Sequence, residues 1–134
     1  MKLIFDTNVL LDVILRREPF VQAAKSALAS CIKGPNRGIV LASVVPDIFY
    51  IAQREGKDLH PLYLVIEEFF ELLRVCEVKP IDIMIAMDKR ELDFEDCLLA
   101  VCAERIGCDA IVTRNAKDFQ HANVPVISPE ELDV

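Results

Sequence analysis

The sequence contains only two histidines, His60 and His121, and they do not form a metal-spaced pair. Neither belongs to a recognisable Ser-His-Asp or Cys-His arrangement, so nucleophilic catalysis of that type is not indicated. His121 is expected in a surface loop. The five cysteines form no CxxC pair and their number is odd. We therefore expect reduced thiols that pack as small apolar groups, in a cytoplasmic protein.

Long apolar runs and an excess of positive charge are also missing. No run approaches the roughly 20 apolar residues of a membrane span, and the N-terminus shows no secretion signal. The net charge of −7 argues against binding nucleic acid by bulk electrostatics alone. It is compatible with a local basic rim, or with an acidic pocket filled by a metal. The 134 residues, 53% of them apolar, predict one globular domain over residues 1–134.

Five short apolar segments predict strands, and the segments between them predict helices. The strands are expected at residues 3–5, 38–41, 75–78, 110–113 and 125–127. The helices are expected at residues 7–15, 20–31, 44–54, 61–73, 81–87 and 94–106, with a capped last turn at 128–132. The elements alternate, and the inner strands lack strict polar alternation. The predicted fold class is therefore α/β, with a short central parallel sheet between two helical layers in an α/β/α arrangement.

Three apolar segments each contain an aspartate near the start or end of an element. Asp6 directly follows the first strand, Asp47 lies in the helix after the second strand, and Asp96 opens a late helix. An ionised carboxylate removed from water is costly unless it is paired. A shared Mg²⁺ or Mn²⁺ ion would satisfy all three, because these ions prefer carboxylate oxygens. The alternative is that Asp6 caps the first helix and that the others are ordinary first-turn acids, with Asp93 as N-cap before Asp96.

Further polar residues follow the fourth strand. Thr113, Asn115 and Asp118 could face the same edge of the sheet, or they could form a plain turn. The basic residues near these motifs include Arg16, Arg114 and Lys117. They are candidates for phosphate contacts that position RNA, with solvated surface charge as the alternative.

These motifs, taken in order, resemble the PIN-domain nucleases, in particular the single-domain toxins of the VapC type. They are Asp-Thr-Asn after the first strand, an acid on the helix after the second, Asp-Phe-Glu-Asp opening a late helix, and Val-Thr-Arg-Asn-x-x-Asp-Phe near the end. The resemblance covers nearly the whole chain. It implies a PIN-like α/β/α fold, an acidic pocket for one or two Mg²⁺ or Mn²⁺ ions, and hydrolysis of phosphodiester bonds in RNA.

The resemblance also assigns roles to residues of this sequence. Asp6 and Asp96 match the first and third family acids. Asp47 stands where the second acid falls, which is usually Glu in the toxin group. Asn115 stands at the fourth position, where many relatives carry Asp. By the same resemblance, Asp6, Asp47 and Asp96 hold the metal. The resemblance also brings four further residues into the pocket. Asp93 and Asp118 contribute carboxylates through a water molecule, and Asn8 and Thr113 orient the metal-binding carboxylates or the attacking water.

The resemblance implies protein partners as well. Toxins of this type form homodimers and pair with a small antitoxin protein that covers the acidic pocket, and they have no membrane partner. Two other functions stay open from the residues. A phosphatase of the haloacid-dehalogenase type also uses an aspartate after strand one, but it requires a second aspartate where this chain has Asn8. A non-catalytic PIN-fold module that binds RNA or protein is compatible with the departures at Asp47 and Asn115.

Overall fold

A five-stranded parallel sheet forms the centre of the computed structural model, which describes residues 1–132. Its strands are β1 (Lys2–Phe5), β2 (Arg37–Leu41), β3 (Leu73–Cys76), β4 (Ala110–Val112) and β5 (Val126–Ile127). They lie side by side in the order β3-β2-β1-β4-β5, and every neighbouring pair is parallel. The order changes direction at β1, so the crevice between the carboxyl ends of β1 and β4 is the place where open sheets of this kind bind ligands.

Helices flank the sheet on both faces, which confirms the predicted α/β/α fold class. They are α1 (Thr7–Ile14), α2 (Val21–Lys33), α3 (Val44–Arg54), α4 (Leu59–Leu72), α5 (Pro80–Lys89), α6 (Phe94–Ile106) and α7 (Pro129–Leu132), with a short 3-10 helix at Ala116–Phe119. Helix α1 packs on α2 and α3, and α5 packs on α6. Within residues 1–132, no helix is long and apolar enough to cross a bilayer.

The core explains why the short strands form. Leu3, Ile4 and Phe5 of β1 are completely buried between the two helical layers. Strand β2 contains Gly38, where a Cβ atom would lie 2.3 Å from Leu73 Cδ2 and 3.0 Å from Cys31 Sγ. Only glycine fits this position without displacing its neighbours. All five cysteines are free thiols, as expected.

Several element boundaries differ from the sequence prediction by one or two residues, and two of these differences have a local cause. Strand β3 spans Leu73–Cys76, two residues earlier than predicted, because α4 runs into it without a loop. This register places the buried side chain of Leu73 opposite Gly38. Helix α4 begins at Leu59, two residues before Pro61. Proline is tolerated in the first turn of a helix because the first N–H groups have no partner there.

Helix α5 has an unusual distribution of side chains. Its buried residues are Asp82 and Ala86, whereas its large apolar residues are exposed, namely Ile81, Ile83, Met84, Ile85 and Met87. The Asp82 carboxylate accepts hydrogen bonds from Arg105 Nε on α6 at 2.8 and 3.0 Å. Burial opposes the charge of Asp82, but the hydrogen bonds from Arg105 and the Lys79 N–H outweigh it and lower the pKa of the carboxyl. This ion pair attaches α5 to α6 and leaves an apolar surface outside.

Candidate active site

Asp6 lies at the crevice between β1 and β4, and it is 8% exposed. Its backbone N–H continues the sheet by donating to Val112 O at 3.0 Å. Its carboxylate Oδ1 accepts from the Thr7 N–H at 2.8 Å, so Asp6 is the N-cap of α1. Its Oδ2 accepts from Thr113 Oγ1 at 2.9 Å and from Asn8 Nδ2 at 3.1 Å. Capping and an active-site position are therefore compatible, and Oδ1 has lone-pair capacity left for a further partner.

Thr113 connects the end of β4 to this carboxylate. It is completely buried, and its hydroxyl accepts the N–H of Asn115 at 3.1 Å while donating to Asp6. The hydroxyl therefore fixes both the Asp6 carboxylate and the turn that carries Asn115. The segment beyond Asn115, for which a plain turn was one of two expectations, forms the 3-10 helix at Ala116–Phe119, which contains the exposed Asp118.

The start of α6 provides the second half of the site. Asp93 is the N-cap of this helix and accepts the Asp96 N–H at 3.0 Å. Asp96 is half-buried in the first turn. A cavity of about 550 Å³, which we call the polar cavity, is lined by Asp93, Asp96, Lys117, Asp118 and His121, together with Glu91, Leu92 and Gln120.

The carboxylates on the two elements interact electrostatically. Burial is the main cause that raises the pKa of the Asp96 carboxyl to about 7, followed by the negative charges of Asp6, Asp93, Asp118 and Glu95. Burial also raises the pKa of Asp6, with added effects from Asp118 and Asp93 and partial compensation by the hydrogen bonds from Thr113 and Thr7. The carboxyls of Asp6 and Asp96 therefore lie close enough to repel each other when both are ionised.

Asp47 lies on a different side of Asp96. With Glu95, Asp96 and Phe94 it lines a cavity of about 320 Å³ whose other walls are mostly apolar, which we call the apolar cavity. The charge of Asp47 is the largest cause that raises the pKa of Glu95, followed by burial and by Asp93 and Asp6. Glu95 was not among the predicted site residues. It stands inside the Asp-Phe-Glu-Asp motif, but the motif alone does not show which of its acids faces which neighbour.

The donor set suits a hard divalent cation. Asp6 and Asp96 bring carboxylates of raised pKa to one edge, and Asn8 adds an amide oxygen, Oδ1, that is buried without a hydrogen-bond partner among the described residues. Mg²⁺ and Mn²⁺ prefer such oxygen ligands and retain several waters. In residues 1–132, no three His, Cys, Asp or Glu side chains form a ready-made metal cluster. The structure thus brings two predicted ligands together and places Asp47 beside them rather than among them.

The basic candidates occupy three different environments. Lys117 lines the polar cavity. Arg16 is exposed at the end of α1 with a left-handed backbone, φ 50°. Arg114 donates from Nε and Nη2 to the carboxylate of Asp12 at 2.8 and 3.2 Å, and its guanidinium lies 4.2 Å from the ring centre of Phe20. Asp12 is only 1% exposed, so Arg114 neutralises a buried charge through Nε and Nη2.

His121 lies in a turn directly after the 3-10 helix, in line with the predicted loop, but its ring is not fully open to solvent. It is half-buried, stacks on Phe119 with ring centres 6.3 Å apart, and lines the polar cavity. Its Nε2 is buried and has no hydrogen-bond partner within residues 1–132. The reason is that the 3-10 helix at Ala116–Phe119 turns the following segment back against α6. The sequence shows no periodic signal for this short helix.

Comparisons with known proteins agree with this architecture. The family model described as "PIN domain" matches residues 2–117. No curated protein sequence matches the chain significantly.

Solved structures with a similar fold cover nearly the whole chain. VapBC2 from Rickettsia felis, bound to a DNA fragment from its promoter, superposes with a TM-score of 0.69 at 14% identity over 96% of this chain and 98% of that one. A toxin-antitoxin complex from Klebsiella pneumoniae gives 0.65 at 21% identity, over 94% and 96% of the two chains. VapC20 from Mycobacterium tuberculosis, a toxin that cleaves the Sarcin-Ricin loop, gives 0.64 at 15% identity over 81% and 86%. At these identities the similarity establishes the fold.

Proposed function

This chain belongs to the PIN-domain family, and from that premise we propose that it is a metal-dependent endoribonuclease that hydrolyses phosphodiester bonds of RNA. The observation that carries the proposal is the pair of buried or half-buried carboxyls, Asp6 and Asp96, whose pKa values are both raised at one edge of the sheet. A shared divalent cation is the simplest partner for two such groups, because it removes their mutual repulsion.

The metal ligands in this proposal are Asp6 and Asp96, with Asp47 completing the set from the side of the apolar cavity. Asp93 and Asp118 act through water. A bound Mg²⁺ or Mn²⁺ supplies an activated water and neutralises charge on the phosphate oxygens. The fold supports this arrangement, since the three ligands come from three different elements, namely the start of α1, the first turn of α3 and the first turn of α6.

Uncharged residues of this chain hold the ligands in place. Thr113 and Asn8 donate to Asp6 Oδ2, which leaves Oδ1 with the Thr7 N–H as its hydrogen-bond donor and with lone-pair capacity for a cation. Asn115 occupies the fourth family position, and its N–H donates to Thr113. Asn8 stands where the phosphatase alternative requires an acid, and its amide donates to Asp6 instead of supplying a proton. That alternative therefore gains no support from the contacts.

RNA contacts are assigned to the basic residues according to their surroundings. Lys117 is the strongest candidate for a phosphate contact, because it lines the same cavity as Asp96. Arg16 contributes from the exposed end of α1, and Arg114 contributes in addition to its ion pair with Asp12. Such contacts hold the backbone and do not read sequence.

Partners follow from the relatives and from the surface. Two of the similar structures are toxin–antitoxin complexes, and we include a small antitoxin protein among the partners. We place the homodimer contact at the exposed apolar residues of α5, such as Met84, which is 62% exposed. The protein is proposed to act in the cytoplasm as a single domain.

The decisive experiment compares Asp6→Asn with Asp58→Asn. Asp58 is an exposed carboxylate between α3 and α4 whose side chain makes no capping hydrogen bond. Asp6→Asn should abolish Mn²⁺-dependent cleavage of a single-stranded RNA, while Asp58→Asn retains it. The melting temperature of Asp6→Asn should stay equal or rise slightly, because an ionised Asp6 is unfavourable in the metal-free fold and Asn8 can turn its amide oxygen toward the new NH₂ group. Full cleavage by Asp6→Asn would overturn the proposal, whereas a wild type that cleaves no RNA with Mn²⁺ would favour the non-catalytic RNA- or protein-binding module.

A further inference from the structure

The apolar cavity has an aromatic side chain at its mouth that the nuclease site does not use. Phe94 is the first residue of α6, directly after the capping residue Asp93, and it is 42% exposed. The floor of this cavity is formed by buried apolar side chains from three elements, including Leu41 of β2, Val44 of α3 and Leu98 of α6. An aromatic ring left open beside a preformed apolar cleft is a typical feature of a ligand site.

The rim of the apolar cavity selects the kind of group that can enter. Asp47, Glu95 and Asp96 place carboxylates around it, and Thr7 and Ser43 add hydroxyl groups. A phosphate is repelled by the carboxylates and gains nothing from the apolar floor. A planar, uncharged heterocycle with N–H groups at its edge suits both the aromatic wall and the acidic rim of the apolar cavity. Its face can stack on the aromatic ring, and its edge can donate hydrogen bonds to the carboxylates.

The two cavities meet at one residue. Asp96 lines both the apolar cavity, with Phe94, and the polar cavity, with Lys117. A nucleic-acid strand whose phosphate lies at Asp96 therefore has one base next to Phe94, and its backbone continues toward Lys117. Resting on the nuclease function proposed above, we propose that Phe94 is a stacking platform for an unpaired nucleobase beside the scissile phosphate of a single-stranded RNA.

The stacking platform restricts the substrate class. A base inside a duplex is already stacked and paired, so it reaches Phe94 only from a single strand, a loop or a bulge. The net charge of −7 strengthens this restriction. A chain with little general attraction for phosphates depends more on contacts with the bases.

The test uses a short single-stranded RNA that contains one 2-aminopurine, whose fluorescence is quenched on stacking. The chain has no tryptophan, so the signal has little protein background. Binding is measured with Mg²⁺ in the Asp6→Asn background, which prevents cleavage, and in EDTA with the wild type. Phe94→Leu removes the aromatic face and keeps an apolar side chain. Phe70→Leu on α4 is the matched control, because Phe70 is 43% exposed and outside both cavities.

We expect Phe94→Leu to weaken RNA binding about tenfold and to remove the quenching. Phe70→Leu should change neither, and Phe94→Tyr should restore both. In the cleaving enzyme Phe94→Leu should raise KM by the same factor with little change in kcat. Hybridising the RNA to its complement stacks the 2-aminopurine inside the duplex, so adding any variant should then cause no further change in its fluorescence.

Unchanged binding and quenching in Phe94→Leu would overturn the inference whether or not the protein cleaves RNA. An unquenched wild type would overturn it too, and it would mean that the apolar cavity accepts another partner, such as a protein side chain. A wild type that binds and quenches through Phe94 but never cleaves would support the stacking platform while refuting the nuclease function.

Discussion

Replacing Asp96 with asparagine should change how the stability of the metal-free protein depends on pH. The folded state raises the pKa of this carboxyl from the ordinary value of 3.8 to about 7, first by burial and then by neighbouring charges. The pKa of Asp96 therefore differs by about 3 between the folded and unfolded states. At about 1.36 kcal/mol per pKa unit, this difference corresponds to a contribution of about 4 kcal/mol to the free energy of unfolding. Solvent around this half-buried group screens part of that, so about 2 kcal/mol is expected.

The sign follows from proton binding in the two states. Between pH 4 and 7 the folded Asp96 carboxyl holds a proton that the unfolded chain has released, so unfolding releases a proton. The stability that protonated Asp96 contributes is complete below pH 3.8 and is lost as the pH rises through about 7. Asp96→Asn has no such proton. Its free energy of unfolding should therefore exceed that of the wild type more at pH 8 than at pH 4.5.

The assay is urea unfolding in EDTA at these two pH values. With a slope of about 2 kcal/mol per molar urea, the midpoint difference between Asp96→Asn and the wild type should grow by about 1 M. Asp58→Asn serves as the control and should follow the wild type. Added Mn²⁺ should then stabilise the wild type at pH 8 and leave Asp96→Asn unaffected. A difference between the two proteins that is the same at both pH values would refute the proposed repulsion at the site.

Two further predictions concern residues outside the acidic site. Arg114→Ala should destabilise the fold by about 2–3 kcal/mol in urea unfolding, because it leaves the buried Asp12 carboxylate with only Arg17, 3.6 Å away. Unchanged stability with weaker RNA binding would instead assign Arg114 to RNA. Met84→Glu on α5 should convert a dimer to a monomer in light scattering, while Leu64→Glu on α4 should not, and a dimer that survives Met84→Glu would exclude this face.

Local signals were enough to predict the elements that build the site. Asp6 stands directly between a strand and a helix. The alternation of strands and helices predicts correctly that it lies at the carboxyl edge of the parallel sheet. Asp93 precedes Asp96 by three residues, which is the spacing of an N-cap, and the structure contains that hydrogen bond. Gly107 follows the last turn of α6 and has φ 80°, as a helix C-terminus favours. These features depend on residues close in sequence.

Long-range pairing was the part that the sequence did not reveal. Arg114 and Asp12 are 102 positions apart, and their ion pair forms only after β4 is placed beside β1. A carboxylate inside the apolar helix α1 was a signal that some partner must exist, but not which one. Asp82 is a similar case, because its partner Arg105 lies on another helix. Helix α5 buries this carboxylate and exposes its large apolar side chains because of that contact. Glu95 was missed for a related reason, since its neighbour Asp47 comes from α3.

The central claim is that Asp6 and Asp96 hold one divalent cation, and a crystal structure of the wild type soaked in Mn²⁺ tests it most directly. Anomalous scattering should place a single strong manganese peak within about 2.0–2.3 Å of carboxylate oxygens from both residues, and the peak should disappear in Asp6→Asn. A soaked crystal with no peak between these two carboxylates, or with an equal peak in Asp6→Asn, would contradict the account.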